Sequence, residues 1–482
     1  MDQLRGPVDR LSFALYRIAA DYLEDAEGPD KNFVVGSFAA ASAAGLIYVG
    51  SGGKTLDRLH RILHFDRLFD QRCTPELITI AFRQAVAYLT KRPDQHFPLR
   101  EDWKQSDFQL VLAHRAFFRQ GLQIRSQFQT ASRAFNLGIA EIEALSSTGT
   151  GTTDLEALRR DINDWVERNT GGHFREALQR LELAGQRDAL THMFLLSVTS
   201  LRGRWAEVFS RHETKTGVFH NYQGKKQTTR FLCAPDIHLP CGVDNRSSYK
   251  YLEIPYANNE ASLCIVLPLE HRGYRPTLLE LMREWKFQSF KQMSVQKHMR
   301  RVNLKLPVFA IENTFDLKDF FTKVGVEKEG DADYSNMLEE PVEDFRLTGA
   351  FHKCSFSIDE QGSNAEHFEE SDAARRHEDT VSVSGSVAAS LSKAKLAPRD
   401  IQDFHVTHPF MFFVRHNLSG VVLFIGRVLD LSPPPTTLQL TADGQPRKAS
   451  QIPLFRKGAA QLSRQWMLRE ENREARKRTT TF

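Results

Sequence analysis

Seventeen histidines, five cysteines and a Gly50-Ser-Gly-Gly-Lys-Thr55 segment are the parts of this 482-residue chain whose types suit metal binding, nucleophilic catalysis or phosphate recognition. The histidines are scattered without H-E-x-x-H or similar spacing, and Cys73, Cys233, Cys241, Cys264 and Cys354 form no C-x-x-C pair. A zinc site has no support, and no metal or cofactor is expected. The thiols read as buried or idle groups of a reducing compartment; in an oxidising one, Cys233 and Cys241 are the pair to consider. A phosphate loop needs a glycine five places before Gly53, where Tyr48 stands, and a preceding strand, whereas the run before Gly50 reads as helix. A helix end and a turn are expected there. No serine sits in a nucleophile elbow and no Ser/His/Asp set is marked, so the chain reads as no enzyme.

The elements that would position any site change character along the chain. Leu11, Leu15, Ile18, Ala19 and Tyr22 recur at helical spacing after Asp9, and Ala39 to Val49 is a helix apolar on nearly every side, as a core helix must be. Residues Asp154 to Glu167 form a third helix, capped by Thr153-Asp154, with Leu155, Leu158, Ile162 and Trp165 inward and a stop at Thr170-Gly171-Gly172. The first two hundred residues thus read mainly as helix. Beyond residue 190 come β-rich runs at Leu195–Leu201, Tyr251–Tyr256, Leu263–Leu267, Val302–Ile311, Phe410–Arg415 and Val421–Val428, the last two joined as a hairpin through His416 to Gly420. Helices first and strands later, without βαβ alternation, predict an α+β fold with large antiparallel sheets.

Composition excludes other classes. Apolar residues make up 41%, and the formal charge is only +4, so neither a disordered chain nor a wholesale nucleic-acid coat is implied. The longest apolar stretch, Phe38 to Val49, is about twelve residues where roughly twenty span a bilayer. Met1 to Asp9 is polar and charged, with no apolar core of a secretory leader. Residues 434–482 carry ten basic and four acidic side chains, a net of +6, which leaves −2 for the remainder. Arg473, Arg476, Lys477 and Arg478 suit weak contact with acidic partners or a nuclear address. Residues 361–403, poor in large apolar groups and rich in serine and charge, are too long for an ordinary connection.

A colinear series of short phrases resembles the serpin (serine protease inhibitor) family. Asn32-Phe33-Val34-Val35 precedes the small-residue helix, and Gly50 and Thr55 precede Leu59 and Leu63-His64-Phe65. Ile162-Asn163-Asp164-Trp165-Val166 with Thr170 and Gly172 follows, then Gly203-Arg204-Trp205, Leu252-Glu253-Ile254-Pro255-Tyr256 and Ile265-Val266-Leu267-Pro268. Leu306-Pro307 with Phe309, Asp316-Leu317 with Gly325, Ala332-Asp333-Tyr334-Ser335 and His352-Lys353 continue it. Asp359-Glu360 with Gly362, His408-Pro409-Phe410 and Gly426-Arg427-Val428 complete it. The order runs over roughly residues 8–431.

The resemblance implies a serpin fold of three β-sheets and eight or nine helices with an exposed reactive-centre loop, here about 361–403. It implies a single domain, 8–433, followed by the basic extension 434–482. In this family a peptidase cleaves the loop, which then enters the central sheet as a new strand and traps the acylated peptidase. The leaderless start resembles the family's intracellular branch, so a cytoplasmic monomer is expected, with leaderless release or nuclear entry as alternatives.

Departures from the family fall in two places. Past the hinge Glu360-Gln-Gly362, the inward positions are Ser363, Ala365, His367 and Glu369, where the family uses small residues; burying an unpaired carboxylate costs several kcal/mol. In the sheet-opening region, which includes Trp205 and His352, Gly36, Ser37 and Ala39 stand for the usual Ser, Pro and Ser, and Ser197 for Asn. Counting forward from Glu360 gives Arg376 as the recognised residue, with His377 after the scissile bond. Counting back from Pro409 gives Pro398, beside Lys395 and Arg399. A basic residue in either register suits a trypsin-like serine endopeptidase. The leading expectation is an inhibitor of such a peptidase; the alternative is a non-inhibitory binding or chaperone-like serpin whose loop cannot insert.

Overall fold

The computed structural model describes residues 2–26, 31–65, 74–91, 107–142, 155–174, 176–177, 192–245, 248–269, 297–323, 332–342, 345–364 and 401–431, with isolated positions 278, 281, 293 and 326. In chain order these form α1 (Asp2–Ala26), β1 (Phe33–Val35), α2 (Ser37–Gly50), α3 (Gly53–Ile62), α4 (Pro75–Thr90), β2 (Phe108–Arg119), α5 (Ser126–Ala134), β3 (Leu137–Ile142) and α6 (Leu155–Thr170). Then come β4 (Met193–Arg204), β5 (Lys215–His220), β6 (Lys226–Asp244), β7 (Tyr249–Pro255), β8 (Ala261–Pro268), β9 (His298–Pro307), β10 (Phe309–Asp316) and α7 (Leu317–Lys323). The series ends with β11 (Leu347–Ile358), β12 (Gly362–Ser363), β13 (Gln402–His405), β14 (Phe410–His416) and β15 (Val422–Val428).

The α+β class expected from the sequence is the class of the molecule. Its central sheet has the order β10-β11-β4-β2-β3, with β12 joined to β4. A second hydrogen-bonded network has the order β1-β15-β14-β8-β7-β6-β9-β13, with β5 joined to β6. The 19-residue β6 runs through two regions of this network: its beginning pairs with β5 and its end with β7, across a register break between Ala234 and Ile237. Two sheets that would otherwise be counted apart are thereby continuous.

α2 contacts both β15 and β4, and its buried surface runs from Ser37 to Tyr48 on every side, which is why its sequence shows no polar face. The sheets meet in an aromatic cluster: Phe356 of β11 lies 5.1 Å from Phe412, and Phe309 lies 5.2 Å from the same ring. Each such buried ring contributes about 1.5–3 kcal/mol of transfer free energy.

Some sequence expectations need correction and others match the fold. Helix α1 starts at Asp2 rather than after Asp9, whose carboxylate instead accepts the Val422 N–H of β15. The first two hundred residues also hold β2 and β3, whose alternation is hidden because β2 is buried on both faces. Val302–Ile311 is two strands: Pro307 has no N–H to continue a ladder, and beyond it β10 joins β11 in the other sheet. The Gly50–Thr55 segment is the α2–α3 turn, where Gly52 donates to the Asp333 carbonyl and Thr55 Oγ accepts the Asp333 N–H. The turn receives an aspartate of the same chain. Cys233 and Cys241 lie eight residues apart on β6, and both are free thiols, as are Cys264 and Cys354.

Candidate functional site: a hinge wedged into the central sheet

β11 and β4 lie parallel and directly paired, from Leu347 opposite Met193 to Ser355 opposite Ser200. Above Ser355 they part. β11 stays paired with β10, while Gly203 and Arg204 of β4 pair antiparallel with Ser363 and Gly362. The chain leaves β11, turns back at Asp359–Gln361 and enters the gap between the two strands.

The turn is closed by Asp359, whose carboxylate accepts the N–H groups of Gln361 at 2.7 Å and Gly362 at 2.9 Å. The residues after β4 hold it from the side: Trp205 donates its backbone N–H to the Gln361 carbonyl and its indole N–H to the Asp359 carbonyl, both at 2.9 Å. Glu360 is buried and paired with Arg230. Burial alone would raise its pKa, but its own backbone N–H, the Thr214 hydroxyl and Arg230 outweigh that and hold the carboxyl below its ordinary value. Gly362 has no substitute here, because a Cβ would stand 1.9 Å from the Gly203 carbonyl oxygen.

Ser363 is fully buried, its hydroxyl 2.6 Å from the Tyr256 hydroxyl, and Tyr256 stacks on Trp205 at 4.7 Å. Asn364 spans the gap. Its side chain donates to the Leu201 carbonyl of β4 at 2.7 Å and accepts from the Ser357 hydroxyl of β11 at 2.5 Å. Its φ of 45° is left-handed, a conformation that asparagine tolerates better than most residues.

Lower down the same seam lies a buried polar row. His352 of β11 is opposite Ser197 of β4, which is opposite His114 of β2. The Gly36 N–H donates to His352 Nε2 at 3.2 Å, so Nδ1 carries the proton that it donates to Ser197 Oγ at 3.0 Å. Burial pushes the His352 pKa down to about 3, and the ring is neutral. Position 36 has no room for a serine side chain, because a Cβ there would meet Thr199 Cγ2 at 2.2 Å. The backbone N–H of Gly36 is itself the donor at this position. Ser37 and Ala39 begin α2 and are buried, and the Ser37 hydroxyl has no partner among the described residues.

The structure thus brings together Glu360, Gly362, Ser363 and Trp205 at the top of the seam, and Gly36, Ser197 and His352 at its middle. Ala365, His367, Glu369, Arg376, His377, Lys395 and Arg399 lie outside the described residues. His114 is the residue that sequence reasoning missed. It is 1% exposed, neither ring nitrogen has a partner among the described residues, and burial first and His352 second push its pKa down to about 3. Its only signal in the sequence is an imidazole within the apolar run Val111-Leu112-Ala113 to Ala116-Phe117-Phe118.

The short strand β12, seated where β11 and β4 part, is the feature to set beside relatives of the same fold. The serpin (serine protease inhibitor) family profile matches residues 8–431, and the chain belongs to that family. The leukocyte elastase inhibitor of Xenopus tropicalis is 25% identical over 431 residues, covering 89% of this chain and 99% of the relative. Human serpin B8 is 25% identical over 433 residues with the same coverage. The crystal structure of Serpin48 from the insect Tenebrio molitor superposes with a TM-score of 0.66 at 21% identity, covering 89% of this chain and 98% of that one. The classification by a missing catalytic set is corrected by this match: what defines the chain is positive, for serpins are protease inhibitors, not enzymes. No described helix is long and apolar enough to cross a membrane.

Proposed function

We propose that this serpin inhibits a serine endopeptidase by cleavage of the segment 361–403 and entry of its first part between β4 and β11. The observation that supports this best is the wedge at Gly362–Asn364: a strand that already starts in the gap can extend by exchanging β4–β11 hydrogen bonds for bonds to itself. The target is trypsin-like, with Arg376 entering its acidic specificity pocket and His377 following the scissile bond; Lys395 and Arg399 are the alternates. The working unit is a cytoplasmic monomer whose domain spans 8–433, with 434–482 as a basic extension for acidic partners; leaderless release and nuclear entry are the alternative addresses.

A second reading, a non-inhibitory binding or chaperone-like serpin, is favoured by the sequence positions of His367 and Glu369, four and six residues after Ser363, which strand alternation would turn inward on insertion. Incubation with a trypsin-like peptidase separates the two. Inhibition gives an SDS-resistant covalent complex that Arg376→Ala abolishes, whereas cleavage without a complex favours the second reading. Trapping unchanged in Arg376→Ala moves the recognised residue to Lys395 or Arg399.

A further inference from the structure

Helices α4 and α5 meet where Phe82 and Phe135 approach to 5.1 Å. The starts of the two helices are separated by a cavity of about 620 Å³, which the end of α2 and Asn336 also line. That volume is in the range of small-molecule sites and far above that of a packing defect. Its wall is mostly apolar, with Val49, Phe128 and Ala131 inside. Ile80 stands on the same wall and is 46% exposed.

Most polar groups of the wall are already engaged. Thr79 and Thr130 donate their hydroxyl hydrogens to the Pro75 and Ser126 carbonyls of their own helices, at 2.8 and 3.0 Å. Asn336 donates to the Ser51 carbonyl at 2.6 Å. The Ser126 N–H is taken by the Glu339 carboxylate at 3.1 Å, so the start of α5 is not open to a ligand there. Glu76 is engaged at the start of α4, where the Thr74 hydroxyl and its own backbone N–H hold its carboxyl below the ordinary value. Arg125 is different. It is half-buried, and only one of its guanidinium N–H groups has an acceptor among the described residues, Asn336 Oδ1 at 3.3 Å. No acidic side chain among the described residues pairs with it. Arg83, also half-buried, lines the cavity from α4. Two guanidinium groups against the single carboxylate of Glu76 leave the wall net positive.

We propose that this cavity binds an amphiphilic carboxylic acid, its carboxylate on Arg125 with Arg83 adding charge from α4, and its apolar body on Val49, Phe128 and Ala131. The planar guanidinium matches a carboxylate in shape and charge. The apolar wall supplies the affinity and the arginine the orientation, as in other small-molecule sites. A cation of the same shape is repelled. A neutral molecule leaves the Arg125 N–H groups without acceptors, and an extended polyanion leaves the apolar wall uncovered.

Dodecanoate is the probe, titrated calorimetrically into the full-length protein near neutral pH below its micellar concentration. Saturable binding at one site is expected, with octanoate weaker and dodecyltrimethylammonium not bound. Arg125→Gln should weaken dodecanoate by about tenfold or more, Arg83→Gln by less, and Arg125→Lys should restore part of the loss. Ala131→Trp fills the cavity and should abolish binding. The denaturation midpoint of each variant without ligand shows that it is folded, and dodecanoate should raise the midpoint of the wild type but not that of Arg125→Gln. Should Ala131→Trp fail to fold, the arginine variants decide. Absence of dodecanoate binding, equal binding of the trimethylammonium probe, or affinity unchanged in both Arg125→Gln and Arg83→Gln overturns the proposal, as does undiminished binding in folded Ala131→Trp.

Discussion

Around Gly362 the side chains of Asp359, Glu360, Ser363, Asn364 and Trp205 all have hydrogen-bonding or ionic partners, whereas in the middle of the same seam both nitrogens of His114 and the hydroxyl of Ser37 have none among the described residues. The contrast separates two tasks. Satisfied donors and acceptors over-determine where Gly362 and Ser363 sit against β4, and hence the register of that pair. Unsatisfied ones lower the cost of opening the sheet below, because few hydrogen bonds are lost and hydration of the buried polar groups is gained.

The largest way to break the contrast is His352→Ala. It leaves the Gly36 N–H and the Ser197 hydroxyl unpaired and opens a cavity, and about 4 kcal/mol of unfolding free energy should be lost. Denaturant titration measures this, and a loss under about 1 kcal/mol would mean that the middle of the seam is as slack at His352 as at His114. Gly362→Ala attacks the top. With the Gly203 carbonyl in the way of a Cβ, about 3 kcal/mol of overpacking is relieved only by expelling β12. Faster amide exchange at Gly203 and Arg204, with β11 and lower β4 unchanged, is the expected signature.

Acid sharpens the contrast. His114 and His352 bind a proton far less readily in the fold, at about 3, than in an unfolded chain, near 6.5. Their neutral forms therefore leave stability intact above the unfolded value, and stability falls as pH drops through it, by about 2 kcal/mol for each ring at about pH 5. Glu360 has the same sign in a lower window: its carboxyl is held low, so its contribution is present above the unfolded carboxylate value and is lost as pH falls through the lower folded one. Between those ranges the middle of the seam should loosen while the hinge stays tied. Exchange of Val198 and Ser355 amides against that of Gly203 measures it, and equal acceleration at both places would remove the distinction.

How much of this was legible in the sequence follows from the range of the interactions. The phrase Asp359-Glu360 with Gly362 was visible as a unit, because these residues act through a tight turn a few residues long. The hairpin after Phe410 and the core helix at Ala39–Val49 were, because alternation and unbroken apolar character are local. The role of Pro307 as a sheet boundary was not, since Val302–Ile311 looks like one strand until the partners of each half are known. His114 was not legible for the same reason: its neighbours Ser197 and His352 are fixed by cross-strand register, and nothing within ten residues announces them. Gly36 was legible as a departure but not in its effect, which depends on the Thr199 methyl opposite.

The smallest expected effect is the most diagnostic. In His114→Leu, an apolar side chain of similar size replaces a ring with two unpaired buried nitrogens, so the intact protein should become more stable by about 1 kcal/mol at neutral pH and lose about half of its acid sensitivity. His352→Leu has the same shape change but strips partners from Gly36 and Ser197, and it should be destabilising instead. A histidine whose replacement strengthens the resting fold is not there to support it. Opposite signs for these two variants would show that the row carries one structural imidazole and one held for another state of the sheet. Equal signs would make His114 an ordinary core residue whose partner was simply not identified.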